Sequence, residues 1–284
     1  MTVRQLIEEK SEDFTSSERK LSAALLADYP FAGLEPIQTL ASKTSVSSPS
    51  ISRFITKLGF SGYQDFQQSL IAELKEGQKS PVDLHETRRG FQGAFLEGFM
   101  SRASQLLDET TQIISESQFD QVCQALAREN RSIYLIGGRM SDVVSQYLAR
   151  HLRQFRPKVY HIPSDPEIWP EYLLRMKPKD ILFVCDFRRY QRSLELLAEK
   201  AHKQRNAQII LMTDTWLSPI AKHASDVLPV PIDSGTIWDS YTAGLAIAEA
   251  LITRITEANW QQTKDRIEAW DAVRLNLGDP SDDI

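Results

Sequence analysis

Short apolar segments alternate with helical segments through the second half of the chain, and this alternation constrains the fold more than any other feature. Each apolar segment is nearly continuous in hydrophobic residues, which is typical of a strand that is buried on both faces of a parallel sheet. The predicted strands are 132–137, 158–162, 180–186, 207–214 and 226–232. The predicted helices are 141–155, 167–176, 191–205, 216–223 and 236–258. The pattern therefore predicts an α/β domain with a doubly wound parallel sheet.

The first 76 residues show helical periodicity only and predict an all-α domain. Within it, residues 47–58 carry apolar side chains at spacing i, i+3, i+4 and i+7, namely Ile51, Phe54, Ile55 and Leu58. The opposite face is small, hydroxylic and basic, and consists of Ser52, Arg53, Thr56 and Lys57. With Ser47 as N-cap and a short turn at 44–46 before it, this helix fits the second helix of a helix-turn-helix, which enters the DNA major groove. A helical bundle with a solvated face is the alternative interpretation.

The charge distribution favours DNA binding by this region. The net charge of −5 argues against a general attraction to polyanions, but no Asp or Glu occurs between Pro36 and Gln64, where three basic residues do. Such a local positive excess is typical of a small nucleic-acid footprint. The predicted DNA-contacting residues are Lys43, Ser47, Ser48, Ser50, Ser52, Arg53, Thr56, Lys57 and Tyr63.

The segment 37–70, IQTLASKTSVSSPSISRFITKLGFSGYQDFQQSL, resembles the N-terminal domain of the RpiR/MurR-type bacterial transcription regulators. The positions that carry the resemblance are Ala41, Val46, Ser47, Ser50, Arg53, Phe54, Leu58, Gly59, Phe60, Gly62 and Tyr63. The resemblance implies a double-stranded DNA operator as partner and a second domain of the sugar isomerase (SIS) type that binds phosphosugars. A helix-turn-helix normally acts as a pair on repeated half-sites, so we expect a homodimer or homotetramer.

These observations together predict the division of the chain. We expect a helix-turn-helix DNA-binding domain at 1–76, a linker and connecting helix at 77–105, a SIS-like effector-binding domain at 106–262, and a C-terminal helix with an acidic tail at 263–284. The start of the chain lacks the apolar core of a secretory signal, and no apolar stretch is long enough to span a membrane. We therefore expect a cytoplasmic protein.

The SIS-like part departs from the family pattern where the resemblance places the ligand. The Gly-x-Gly-x-Ser pattern after the first strand finds Gly137 and Ser141, with Arg139 at the second glycine. The Ser-x-Ser-Gly-x-Thr pattern after the third strand meets Asp-Phe-Arg-Arg-Tyr-Gln at 186–191, which replaces all four signature positions. Arginine forks match carboxylates as well as phosphates, so we expect a retuned site for a small anionic effector. The predicted effector-binding residues are Gly138, Arg139, Ser141, Asp186, Arg188, Arg189, Gln191, Ser234 and Thr236.

Two other interpretations remain open. The replaced signature also fits a lost site, in which case the α/β domain would be a ligand-free dimerisation scaffold. The fold also fits a SIS-type phosphosugar isomerase, but the candidate acid/base residues His161, Glu167 and Glu171 are not singled out by any pattern. No histidine pair has metal-ligand spacing, and Cys123 and Cys185 lie far apart. We therefore expect no catalytic residue, no metal and no cofactor.

Overall fold

The computed structural model describes residues 2–87, 90, 91 and 93–273. Helices build the N-terminal part of the chain, as the periodicity predicts. Their bounds are α1 (Val3–Glu9), α2 (Ser16–Ala27), α3 (Phe31–Leu34), α4 (Ile37–Thr44), α5 (Ser48–Leu58) and α6 (Tyr63–Glu76). The apolar faces of these helices share one core, in which Phe54 and Phe66 are fully buried. Burial of large apolar side chains is the main favourable contribution to such a fold.

The predicted strands form one parallel sheet in the described part of the chain. They are β1 (Ile133–Gly137), β2 (Val159–His161), β3 (Ile181–Asp186), β4 (Gln208–Asp214) and β5 (Asp226–Val230), in the order β2-β1-β3-β4-β5. In the register of the central pair, Gly137 of β1 lies opposite Cys185 of β3. Every residue of β1 and β3 is buried, because helices cover both faces of the sheet. The doubly wound α/β fold is thus confirmed.

The remaining helices cover the sheet and connect it to the N-terminal part. They are α7 (Pro81–Thr87), α8 (Phe95–Ile113), α9 (Glu116–Ala127), α10 (Asp142–Phe155), α11 (Trp169–Arg175), α12 (Arg192–Arg205), α13 (Thr242–Ala258) and α14 (Trp260–Val273). One apolar layer packs α9, α10 and α13 on one face of the sheet. The other packs α11 and α12 on the opposite face. No helix in the described ranges combines the length and the apolar character that a membrane crossing requires.

Two predicted helices differ from the observed ones. The segment predicted as a helix at 216–223 is a tight turn followed by a short 3-10 helix, Pro219–His223, because Leu217 adopts a left-handed φ of 63° that ends any regular helix. The long last helix begins at Thr242 and not at 236. Before it, the hydroxyls of Ser234 and Thr236 donate to the carbonyl of Trp238, and these local bonds hold a turn instead of a helix.

Two of the three predicted domain borders fall inside continuous helices, whereas the border at 76 coincides with the end of α6. The segment 77–105 contains α7 and the first half of α8, and α8 continues past residue 105 to Ile113. The border at 262 lies within α14. The acidic tail at 274–284 lies outside the described residues.

Candidate nucleic-acid interface and ligand pocket

Helix α5 has both ends fixed by its own sequence. At its start, the Ser47 hydroxyl accepts a hydrogen bond from the Ser50 amide, and Pro49 lies in the first turn, where a missing amide proton costs nothing. At its end, Gly59 adopts a φ of 108°, which glycine reaches without steric penalty. The Phe60 amide then donates back to the Ile55 carbonyl at 3.2 Å. These caps set the length and the rotation of the helix.

The rotation of α5 matches the predicted faces. The four apolar residues of the predicted inner face are buried in the N-terminal core. On the outer face, the structure leaves exposed side chains at Ser47, Ser52, Arg53, Thr56 and Lys57. Ser48 and Ser50 are partly buried. A small, polar outer face allows a helix to approach base edges in a major groove.

The three basic side chains of this region differ in their partners. Lys43 Nζ lies 2.5 Å from Glu35 Oε1, and Lys57 Nζ lies 3.0 Å from Glu18 Oε2 and 2.8 Å from the Asp13 carbonyl oxygen. Arg53 makes a different contact, because its Nη2 donates to Ser50 Oγ at 2.9 Å. Among the described residues, no carboxylate forms an ion pair with Arg53. Arg53 therefore differs from the two lysines. A hydroxyl holds its guanidinium, which is available to a phosphate or a base.

Tyr63 was predicted to contact DNA, and in the structure its hydroxyl makes hydrogen bonds inside the N-terminal part. Its hydroxyl donates to the carbonyl oxygens of Glu35, at 2.9 Å, and Gly33, at 3.2 Å. Burial, with the nearby Glu35 carboxylate, raises the pKa of Tyr63 to about 12. The hydroxyl thus joins α6 to the end of α3 and to the residue that follows it, inside the domain.

A cavity of about 230 Å³ opens where β1 and β3 end. Parallel strands bring their carboxyl ends to one edge of the sheet, where this kind of fold binds its ligands. The cavity is lined by Gly138, Arg139, Met140, Ser141, Asp186, Phe187, Arg188, Arg189, Gln191, Asp239 and Tyr241. Seven of the nine predicted effector-binding residues are therefore together. The other two, Ser234 and Thr236, line a neighbouring cavity of about 540 Å³, and Asp239 borders both.

Arg188 and Arg189 are adjacent in sequence but lie in opposite environments. Arg188 is buried, with its side chain 1% exposed, whereas Arg189 is exposed and takes a left-handed φ of 64°. The Arg188 guanidinium packs 4.6 Å from the Trp216 ring centroid, and its Nη2 lies 2.8 Å from Asp239 Oδ1. The charges of this ion pair are in contact, but the N–H directions miss the oxygen. Among the described residues, no acceptor in hydrogen-bonding geometry meets Nε, Nη1 or Nη2.

Asp186 is a buried acid at the end of β3. It accepts a hydrogen bond from the Ser218 hydroxyl at 2.5 Å and a long one, 3.4 Å, from the Gln191 amide. Burial raises the pKa of Asp186 to about 7, and the nearby Asp214 and Glu195 carboxylates push it in the same direction. The two hydrogen bonds oppose this shift only in part. At neutral pH this acid is therefore present in both its neutral and its ionised form.

Ser141 was predicted to donate to a ligand, and the structure shows its hydroxyl engaged within the protein. Its hydroxyl already donates to the Cys185 carbonyl at 2.6 Å and accepts from the Gly138 amide at 2.9 Å. The side chain is 3% exposed. The hydroxyl proton therefore joins the start of α10 to the end of β3.

Several residues around the cavity were missed by the sequence argument. Asp214, at the end of β4, accepts from the Tyr190 hydroxyl at 2.7 Å and from the Trp216 amide at 2.9 Å. Burial raises the pKa of Asp214 to about 6. Asp239 and Ser218 also belong to this set. A signal existed for Asp214, since β3 and β4 are neighbouring apolar strands that both end in aspartate, but Trp216, Ser218 and Asp239 lie in loops without any pattern.

The histidine and glutamates considered as acid/base groups lie elsewhere. His161 Nε2 is 2.8 Å from Asp142 Oδ1, and that carboxylate also accepts from the Ser145 hydroxyl at 2.6 Å. Glu167 and Glu171 are exposed. None of the three lines the cavity. Within the described residues, no group of three or more His, Cys, Asp and Glu side chains could hold a metal ion.

Comparison with known proteins agrees with both halves of the structure. Residues 1–77 match the profile of a helix-turn-helix domain of the rpiR family, and residues 125–254 match the profile of a SIS domain. The HTH-type transcriptional regulator HexR of Escherichia coli is 22% identical over 98% of this chain and 99% of its own length.

Two solved structures share the fold. The Vibrio vulnificus NanR protein complexed with ManNAc-6P matches with a TM-score of 0.54 and 17% identity, over 96% of this chain and 97% of that one. The sugar isomerase domain of an RpiR transcription factor from Sphaerobacter thermophilus matches with a TM-score of 0.58 and 17% identity, over 64% of this chain and all of that one. At these identities the likeness concerns the fold.

Proposed function

The chain belongs to the rpiR family of helix-turn-helix transcription regulators that carry a SIS domain, and from this premise we propose that it binds an operator through α5 and senses a small carboxylate-bearing metabolite at the ends of β1 and β3. We place it in the cytoplasm as a homodimer or homotetramer, because a helix-turn-helix reads repeated half-sites in pairs. In this proposal Arg53 reads DNA with the hydroxyl-rich face around it, including Ser47, Ser52 and Thr56.

One observation carries the ligand proposal, namely the buried Arg188. The Nε, Nη1 and Nη2 atoms of its guanidinium are out of contact with water and meet no acceptor in hydrogen-bonding geometry among the described residues. Leaving buried charged donors without acceptors is unfavourable by several kcal/mol, on the order of 1–3 or more for each lost group. A planar carboxylate that accepts two of these N–H bonds would remove that cost.

The surrounding acids favour a carboxylate over a phosphate. Asp186 and Asp239 line the cavity, and Asp214 lies behind it, next to Arg188. A phosphate dianion would bring two negative charges into this cluster, whereas a carboxylate brings one. Asp186 would accept a hydrogen bond from a hydroxyl or amine of the same ligand. ManNAc-6P, the ligand of the NanR structure, therefore differs from the ligand class that we propose for this chain.

Binding experiments on two single variants test this proposal. Isothermal titration would compare a panel of hydroxy- and amino-carboxylates with a panel of sugar phosphates, using wild type, Arg188→Lys and Arg189→Ala. Arg188→Lys keeps the positive charge but removes the planar fork, so we expect at least a tenfold loss of carboxylate affinity. Arg189→Ala tests the adjacent arginine of the cavity lining, for which we expect a smaller loss because its exposed charge is screened by solvent. Equal affinity in all three proteins would contradict the role of Arg188.

The alternatives are outcomes of the same set of measurements. A protein that binds neither panel, and yet binds DNA, would be a regulator with a ligand-free dimerisation domain. One observation favours an isomerase as the second candidate, since a carboxyl group with a pKa of about 7 in a cavity is suited to proton transfer. Turnover of sugar phosphates in a coupled assay, abolished by Asp186→Asn, would replace the regulator proposal for this pocket.

A further inference from the structure

One turn of the chain touches the ligand pocket and the DNA-binding domain at the same time. It comprises residues 216–218, directly after β4. The Trp216 ring packs under the Arg188 guanidinium at 4.6 Å, and the Ser218 hydroxyl donates to Asp186 at 2.5 Å. Between them, the Leu217 side chain is 5% exposed and belongs to the core of the N-terminal helices. Arg188 and Asp186 of the pocket thus contact the two residues on either side of Leu217, and the Leu217 side chain packs among the N-terminal helices.

A second contact links the same two regions. The Arg189 amide donates to the carbonyl of Gly77, which follows the end of α6, at 2.9 Å. The approach is close, because a methyl group built on Gly77 would lie 3.0 Å from the Tyr190 hydroxyl oxygen and 3.5 Å from Trp216 Cβ. The loop that replaces the family signature therefore rests directly on the end of the DNA-binding domain.

The turn is held internally and would move as a unit. The Ser218 amide donates to Thr213 Oγ1 at 3.0 Å, and the Leu217 amide donates to the Asp214 carbonyl at 3.2 Å. The Trp216 amide donates to the Asp214 carboxylate. Close-packed groups with these bonds shift together instead of deforming one at a time. A displacement of Trp216 or Ser218 would thus be carried to Leu217.

We propose that the turn 216–218 couples occupancy of the pocket to the placement of the DNA-binding helices. The inference rests on the proposed function, since it assumes that a ligand engages Arg188 and Asp186. A ligand carboxylate on Arg188 draws the guanidinium from Trp216, and a ligand donor on Asp186 competes with Ser218. Either change shifts the Leu217 side chain relative to the N-terminal helices that it packs against. Because Leu217 then contacts the N-terminal helices differently with and without ligand, the two states differ in operator affinity.

The experiment uses the full chain and compares three serine variants. Ser218→Ala removes the bond to Asp186, and Ser218→Thr retains a hydroxyl at the same place. Ser145→Ala is the matched control, because the Ser145 hydroxyl donates to the partly buried Asp142 at 2.6 Å on α10, a helix that packs mainly on the sheet, α13 and α14. Operator affinity is measured on a duplex selected from a random DNA pool with the wild type. Hydrogen–deuterium exchange of α4, α5 and α6 is measured without DNA.

We expect Ser218→Ala to change operator affinity by about fivefold or more and to change exchange in the N-terminal helices. Ser218→Thr should restore both, and Ser145→Ala should change neither. If Ser218→Ala gives the same exchange and affinity as Ser145→Ala, the coupling is wrong while the regulator function stands. If the wild type selects no DNA sequence, the proposed function is wrong, and the exchange measurement still decides the coupling.

Discussion

Arg188 and Arg189 are identical side chains at successive positions, and their difference illustrates how residue chemistry is set in this protein. In the loop after β3, the Arg188 side chain lies inward over Trp216, while the left-handed backbone of Arg189 turns the next side chain to solvent. The Arg188 guanidinium lies near the Asp239 and Asp214 carboxylates, whereas no carboxylate within the described residues forms a salt bridge with Arg189. The buried charge at the pocket therefore belongs to Arg188 and the acids near it, while Arg139 and Arg189 are exposed at its rim.

The buried acid at position 186 predicts a measurable pH dependence of stability. Its folded pKa of about 7 lies above its ordinary value of 3.8, so its neutral form is favoured in the folded state. Its contribution to stability is complete below about pH 4 and is lost as the pH rises through 7. Asp186→Asn should therefore gain stability relative to wild type between pH 5 and pH 8, by at most about 4 kcal/mol. Thermal unfolding at each pH measures this difference.

A second aspartate provides a control of opposite sign. Burial alone would raise the pKa of Asp142, but hydrogen bonds from His161, Ser145 and Gln146 lower it overall. Asp142→Asn should thus lose stability relative to wild type at neutral pH and lose less at pH 3. A stability difference for Asp186→Asn that does not change with pH would contradict the assignment of its titration.

Arg53 is the residue for which we predict the largest effect on DNA recognition. Arg53→Ala should weaken operator binding by about 1–3 kcal/mol if the side chain reads a base. Lys57→Ala should weaken it less, since Lys57 Nζ is already bound to Glu18 and Asp13. Fluorescence anisotropy on a selected operator would measure both. Arg150→Ala, which removes an exposed arginine from α10, controls for net charge.

At the scale of elements, α5 depends on the conformation of the glycine that ends it. Gly59 has a φ of 108°, whereas Gly62, three residues later, has an extended φ of 172°. Neither has an atom within 4 Å of where a Cβ would stand. The two positions therefore differ in backbone conformation and not in available space.

The pair of glycines supports a matched prediction. Gly59→Ala should destabilise the protein by about 1–2 kcal/mol, because a side chain in the left-handed region clashes with its own backbone. Gly62→Ala should change the free energy of unfolding by less than about 0.5 kcal/mol. Chemical denaturation of both variants decides the matter, and equal effects would mean that the left-handed C-cap does not limit α5.

At the scale of the whole molecule, the two parts of the chain are joined by a shared core as well as by α7 and α8. Leu217 comes from the sheet domain and is buried among the N-terminal helices. Leu217→Ala should therefore destabilise the protein by about 2–4 kcal/mol, a typical cost for a buried leucine.

Leu196→Ala is the control for that change, since Leu196 is 40% exposed on α12 and should contribute little. Hydrogen exchange would locate the effect of Leu217→Ala, which we expect in the N-terminal helices as well as around β4. An effect confined to the sheet domain would contradict the shared core.

The amino-acid sequence alone predicts the all-α character of the N-terminal part, the two faces and the N-cap of α5, and all the strands of the parallel sheet to within two residues. These features follow from local spacing, because side chains that share a face recur every two residues in a strand and every three or four in a helix. It also brought seven lining residues of one pocket together, since parallel strands end at one edge.

Which side chains of the site are available becomes clear only from the three-dimensional packing. The partners of Arg188, Lys57 and Ser141 come from distant segments, namely Asp239, Glu18 and Cys185. No periodicity records such contacts, because they depend on strand register and on irregular loops. The turn 216–218 was expected to be helical, and its position between pocket and N-terminal core appears only once β4 is placed in the sheet. Residue spacing predicts the helices and strands, and the packing of these elements determines which side chains contact each other.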